Sequence, residues 1–183
     1  MRQWFIKIRH PKQIRELVLI EPQRYTFCMT IVFVQAGGTI DKNYPASDSH
    51  HGYYFDVGEA SFLDILQRVN PDFSYRTITV LRKDSLDISE EERAQIAEAV
   101  NNIPQERIVI THGTDTIRKT AERLSEIKDK TIVLTGARLP ERFYDSDAEF
   151  NVGMAVAGAQ VLPHGVYIAL FGILTPWQEY NGG

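Results

Sequence analysis

From residue 30 onward, short apolar runs alternate with segments whose apolar positions recur at helical spacing. Residues 30–35 are β-branched and apolar and run into Gly37-Gly38, the pattern of a strand and its end. Over residues 61–69, Phe62, Ile65, Leu66 and Val69 share one helical face, and Pro71 stops it. Residues 75–81 alternate as a strand. Ser89, with Glu92 three positions on, is a capping-box signature. It opens a helix whose apolar face is Ile96, Ala97, Val100 and Ile103, and Pro104 ends it. A strand at 107–111 follows, then a helix with Ile117, Ala121, Leu124 and Ile127 on one face, and a strand at 131–135. A helix at 148–161, rich in small residues, and a last strand at 166–171 complete the pattern.

Continuous apolar strands separated by amphipathic helices predict an α/β domain. The expected form is a doubly wound, mostly parallel sheet with helices on both faces and right-handed crossovers. The sequence shows no internal repeat, low-complexity segment or heptad.

Length and composition narrow the picture without changing it. A chain of 183 residues with 43% apolar content suits one domain able to bury its own core. No apolar run approaches the ~18 residues that predict a membrane span. Cys28 is the only cysteine, so neither an internal disulfide nor a zinc ribbon is expected, and a reducing, cytoplasmic setting fits. The net charge of −4 is uneven: residues 1–28 carry +4 and residues 29–183 carry −8. An acidic body argues against a nucleic-acid surface. The basic stretch 1–28 reads either as a docking arm or as sequence upstream of a start at Met29, and residues 29–183 read as the domain proper.

In open parallel sheets, ligands bind beyond the carboxyl ends of the strands. Hydroxyl and carboxyl groups follow several predicted strand ends here: Thr39, Asp84-Ser85, Thr114-Asp115-Thr116 and Thr135-Gly136. Gly37-Gly38-Thr39 permits a tight turn that presents a hydroxyl, or is a plain strand-to-loop turn. It falls short of the glycine fingerprint for dinucleotides. His112-Gly113-Thr114-Asp115-Thr116 joins a strand to a helix, where backbone N–H groups can hold an anion or an oxyanion. Either Thr114 or Thr116 also suits a helix N-cap, and Asp115 suits the dipole. The run 84–87 can hold a carboxylate through Ser85, or be a polar loop before the Ser89 cap. The adjacent His50-His51 lack ligand-spaced partners and read as an exposed loop, and His164 reads as part of the turn after Pro163. No metal or organic cofactor is expected.

Taken in order, these motifs resemble the bacterial-type asparaginase/glutaminase family. Gln35-Ala36-Gly37-Gly38-Thr39-Ile40 resembles its first threonine motif, and Ile110-Thr111-His112-Gly113-Thr114-Asp115-Thr116 its second. Leu134-Thr135-Gly136-Ala137-Arg138-Leu139-Pro140, with the order of its arginine and apolar residue altered, and Phe150-Asn151 fit as well. The resemblance spans roughly residues 30–171 and corresponds to the family's larger N-terminal domain, as in a short, single-domain branch. It implies a hydrolase in which Thr39 is the nucleophile, Tyr53 or Tyr54 the tyrosine that activates it, and Thr114 the second catalytic threonine. It further implies that Ser85 holds a substrate α-carboxylate and Asp115 an α-amino group, with Gly38 and Gly113 lining the pocket. The glutamine that commonly follows that serine is Leu86 here, and residues 172–183 carry no lysine where the family pairs one with the second motif. A small amide or amino-acid ligand is implied, either turned over or only bound by a module that has lost the lysine. A phosphate or other anion at residues 113–116 is a third reading. In the two-domain relatives a subunit contact completes the site, so a homo-oligomer is expected, with the small residues at 153–159 able to meet another helix or the chain's own sheet.

Overall fold

The computed structural model describes residues 29–44 and 55–182. The basic stretch 1–28 and its Cys28, together with His50, His51, Tyr53 and Tyr54, lie outside the described residues.

The strand patterns assemble into one six-stranded sheet and a short separate ribbon. In chain order the strands are β1 (Thr30–Gly37), β2 (Lys42–Asn43), β3 (Asp56–Val57), β4 (Ser74–Lys83), β5 (Arg107–Thr111), β6 (Thr131–Thr135), β7 (Gly165–Leu170) and β8 (Ile173–Pro176). The helices are α1 (Phe62–Val69), α2 (Glu90–Asn101), α3 (Ile117–Leu124) and α4 (Ala148–Val161). The main sheet runs β4-β1-β5-β6-β7-β8; all of its pairs are parallel except the last, and β2 and β3 pair antiparallel apart from it.

Alternation along the strands divides the core in two. Val32, Val34, Ile108, Ile110, Ile132 and Leu134 pack with α2 and α3 on one face. Ile31, Phe33, Val109 and Val133 pack with α1 and α4 on the other. Both faces of β1, β5 and β6 are therefore buried, which is why those strands read as unbroken apolar runs. The Ser89 capping box is present in full: Ser89 Oγ accepts from the Glu92 N–H at 3.3 Å, and Glu92 Oε2 accepts from the Ser89 N–H at 2.9 Å.

The sheet does not end at residue 171 as the pattern predicts. Phe171 and Gly172, at φ 55° and 82°, reverse the chain, and Leu170 pairs with Ile173 to begin the antiparallel edge strand β8. Two positive φ values are what a tight primed hairpin turn requires. A phenylalanine is an uncommon occupant of that region, so the turn carries no sequence signal. It is held from α4: Asn151 Oδ1 accepts from the Phe171 N–H at 3.0 Å, while Asn151 Nδ2 donates to Gly136 O at 2.9 Å. The small residues of α4 serve its own sheet first. Ala155, Gly158 and Ala159 are buried, and a Cβ on Gly158 would press on Leu174, whereas Gly153 faces open space.

Candidate active site at the strand ends

The chain leaves β1 toward α1 on one face of the sheet and leaves β5 toward α3 on the other. Neighbouring strands whose connections part to opposite faces form the crevice at which such sheets bind ligands. The turn after β1 and the loop after β5 both border that crevice.

Glycines let these backbones touch. Gly37 and Gly38 hold φ values of 107° and 94°, which disfavour any side chain. The Gly38 N–H donates to Lys83 O at 2.9 Å. A Cβ on Gly38 would overlap the Gly113 nitrogen, and one on Gly113 would lie 2.5 Å from Ser85 Oγ. Gly136, after β6, abuts His112 O in the same way, with Thr114 Cγ2 beside it. Four segments thus meet backbone to backbone: 37–39, 83–85, 112–114 and 136. The structure brings Gly38, Ser85 and Gly113 into direct contact, and Thr39 and Thr114 follow in the chain. Thr39 and Thr114 are half-buried and Asp115 is exposed.

Ser85 is fully buried, yet its Oγ has no hydrogen-bond partner among the described residues. A buried hydroxyl without a partner costs free energy, about 1–3 kcal/mol, unless something satisfies it. Tyr180, which follows β8 in a short 3-10 turn, also has an unpartnered hydroxyl. Burial raises its pKa first, with Asp115 pushing the same way and Arg138 opposing. The Arg138 guanidinium itself stacks on the Phe171 ring, 3.8 Å from its centroid. Lys42 and Asp84 pair at 2.7 Å, tying β2 to the loop that carries Ser85 and holding the Asp84 carboxyl below its usual range.

The Thr39 turn is set from beneath. Asp41, buried, accepts from the Ser61 N–H at 2.8 Å and from Gln35 Nε2 at 3.0 Å. Gln35 Nε2 also donates to Gly58 O, and Gln35 Oε1 accepts from Thr79 Oγ1. The Glu141 N–H donates to Ile40 O at 3.0 Å. Burial pushes the Asp41 carboxyl up to about 6, against the opposing pull of the Ser61 and Gln35 hydrogen bonds. A carboxyl whose folded pKa is raised binds its proton more tightly in the folded state. Its stabilising contribution is therefore complete below the unfolded value near 3.8 and is lost as pH rises through about 6. At roughly 1.4 kcal/mol per pKa unit, this is on the order of 3 kcal/mol between pH 4 and pH 7. Denaturant unfolding of the wild type and of Asp41→Asn across that range should diverge by this amount, and parallel profiles would refute the burial effect.

A second buried layer lies under the site; the sequence pattern marks His112 and Thr116 only as parts of the 112–116 run and does not mark their partners Thr120 and Arg93. Thr116 occupies the N-cap position of α3 but makes no capping bond; its hydroxyl donates to Ser85 O at 2.8 Å. His112 is fully buried, with Nδ1 on Gly113 O and Nε2 on Thr120 Oγ1, each at 2.8 Å. Burial, aided by the nearby Arg93 charge, lowers the His112 pKa to about 4, so the ring is neutral at neutral pH. Arg93, at the start of α2, completes the layer; the helical pattern marks it only as a charged position. Among the described residues no cluster of His, Cys, Asp or Glu could hold a metal ion, and no helix is long and apolar enough to cross a membrane. His164, outside the site, lies 3.3 Å from Glu106.

Comparison with known proteins points to one family. The family model described as "Asparaginase, N-terminal" matches residues 30–175. The L-asparaginase of Thermococcus kodakarensis is 35% identical over 150 residues, covering 77% of this chain and 44% of that protein. The glutaminase-asparaginase of Acinetobacter glutaminasificans is 32% identical over 135 residues, covering 69% and 40%. The solved structure of the thermostable Thermococcus kodakarensis L-asparaginase superposes with a TM-score of 0.70 at 30% identity, over 81% of this chain and 46% of that one. The chain spans less than half the length of these relatives.

Proposed function

The chain belongs to the asparaginase family, matching its N-terminal domain, and we propose that it is an amidohydrolase acting on the side-chain amide of L-asparagine or a related small amide through a threonine acyl-enzyme. The observation that supports this most directly is the meeting of the Gly38 and Gly113 backbones, with the Ser85 side chain against Gly113, at the crevice between β1 and β5, where the Ser85 hydroxyl has no partner among the described residues.

In this reading Thr39 Oγ1 attacks the amide carbon. Its proton passes to a base, through Tyr53 or Tyr54 or by way of Thr114 and a water. A neutral hydroxyl is a poor nucleophile without such help. Backbone N–H groups near Thr114 face the developing oxyanion, where one donor contributes about 3 kcal/mol. Ammonia leaves with the proton returned to it, and water then hydrolyses the ester. Ser85 Oγ donates to the substrate α-carboxylate, Asp115 pairs with the α-ammonium, and Gly38 and Gly113 line the pocket. No metal or organic cofactor enters these steps. The working form is a homo-oligomer in which a partner covers the open cleft; the outward Phe150, Gly153 and Ala157 of α4 are exposed and available for such a contact.

A second reading, an amino-acid-binding module without turnover, is supported by the sequence after β8. Tyr180-Asn181-Gly182 stands where the family resemblance leads one to expect a lysine. Ammonia release over asparagine, glutamine and simple amides, measured beside amino-acid binding, separates the two. Asp115→Asn should weaken amino-acid binding about tenfold or more, since a charge-assisted contact is lost, and should leave simple amides and sulfate nearly unaffected. Equal losses on all ligands would instead favour an anion site at residues 113–116.

A further inference from the structure

Arg93 is only 2% exposed, and a buried guanidinium is costly unless its donors are used. Here they are used on parts of the site. Nη1 donates to Thr120 Oγ1 at 2.6 Å; Nη2 donates to Ile88 O at 3.1 Å and to Thr116 Oγ1 at 3.2 Å; and Nε donates to Glu90 at 3.0 Å. Glu90 itself is exposed, so this ion pair does not account for the burial.

An arginine can only donate and a backbone carbonyl can only accept, and the two ends together order the protons between them. The neutral His112 ring donates its Nδ1–H to Gly113 O, which leaves Nε2 as an acceptor. Thr120 Oγ1 gives its hydrogen to Nε2 and accepts from Arg93 on a lone pair, so the guanidinium orients and polarises the hydroxyl that holds the ring. Along the other branch, Thr116 Oγ1 accepts from Arg93 and donates to Ser85 O. The two branches end on the carbonyls of Ser85 and Gly113, the residues whose side chain and backbone lie in contact at the crevice.

We infer that Arg93 is a positioning residue: through Thr116 and through Thr120 and His112, its guanidinium fork sets the spacing between the Ser85 loop and the Gly113-Thr114-Asp115 loop, and so the half of the pocket that grips the substrate's α-carboxylate and α-ammonium. The inference rests on the amidohydrolase reading for its ligand, but not for its proton ordering.

The test is made on the full chain. Arg93→Met keeps an apolar filling and removes the fork. Arg93→Lys keeps the charge but cannot reach both threonines and the Ile88 carbonyl at once. Both should raise the KM for asparagine about tenfold or more while kcat changes less than about threefold, the pattern of lost ground-state and transition-state binding alike. In 15N-histidine spectra, with the His112 signal identified by its loss in His112→Asn, the wild type should show a single Nδ1–H tautomer, and Arg93→Met should keep that tautomer but shift the Nε2 resonance, because the Thr120 hydroxyl loses the donor that orients it. If Arg93→Met does not fold, Thr120→Val removes the bridging hydroxyl alone and should likewise shift the Nε2 resonance. An unchanged Nε2 resonance, or a shifted one with KM within about twofold of wild type, overturns the inference. A wild type with neither turnover nor amino-acid binding sinks the amidohydrolase reading instead, and the Nε2 shift then decides the role of Arg93 alone.

Discussion

Thr39→Ala is expected to reduce ammonia release by about four orders of magnitude or more, the scale on which removing a covalent nucleophile acts. Its melting temperature should stay within about 2 °C of wild type. The reason lies in how the turn is held. Asp41, Gln35, Ser61 and the Ile40 carbonyl fix residues 39–41, and none of those bonds uses the Thr39 side chain. Thr39 is half-buried, so the change leaves no large void. Wild-type ammonia release from a folded Thr39→Ala protein would remove Thr39 from the mechanism and leave Thr114 as the threonine to examine.

Gly38→Ala should have a large effect on the fold for a single added methyl. At φ 94° a side chain is strained wherever it has room, and here it has none, because the new Cβ would overlap the Gly113 backbone. Strain and overpacking each cost about 1–3 kcal/mol, so a loss on the order of 4 kcal/mol follows. This corresponds to a fall in melting temperature of about 10 °C. Backbone on both sides of the clash leaves no flexible side chain to yield. Gly153→Ala is the control: it lies within α4 with nothing within 4 Å of its Cβ. It should stabilise the helix by up to about 1 kcal/mol. Similar melting temperatures for Gly38→Ala and wild type would mean that the β1 and β5 loops do not meet as described.

Local rules reach far into this chain because its central strands are buried on both faces. Such strands need unbroken apolar runs, and α2 and α3 need a stripe on one face, so 30–35, 107–111 and 131–135 announce themselves. The Ser89–Glu92 box is closed within four consecutive residues and is therefore equally legible. The β8 strand is not, because its turn places a phenylalanine at φ 55°, held by Asn151 from a helix twenty residues earlier. The short β2–β3 pair is missed for a related reason: two residues a side are too few to show a period.

The candidate site divides along the same line. Glycine pairs and hydroxyls at strand ends are local features, so the sequence by itself determined the α/β class and marked the strand ends with Thr39, Ser85, Thr114 and Asp115 as candidates. Tertiary structure alone decided which loops touch. The sheet order places β1 between β4 and β5, and that order, which no local pattern encodes, lets Gly38 abut Gly113 and Gly113 abut Ser85. It also decided that Arg93 faces inward. On the sequence it is one more charge on the first turn of a helix. Only the packing of α2 against α3 surrounds its guanidinium with Thr116, Thr120 and the Ile88 carbonyl, because hydrogen-bond donors are satisfied by what lies close in space rather than by what lies near along the chain.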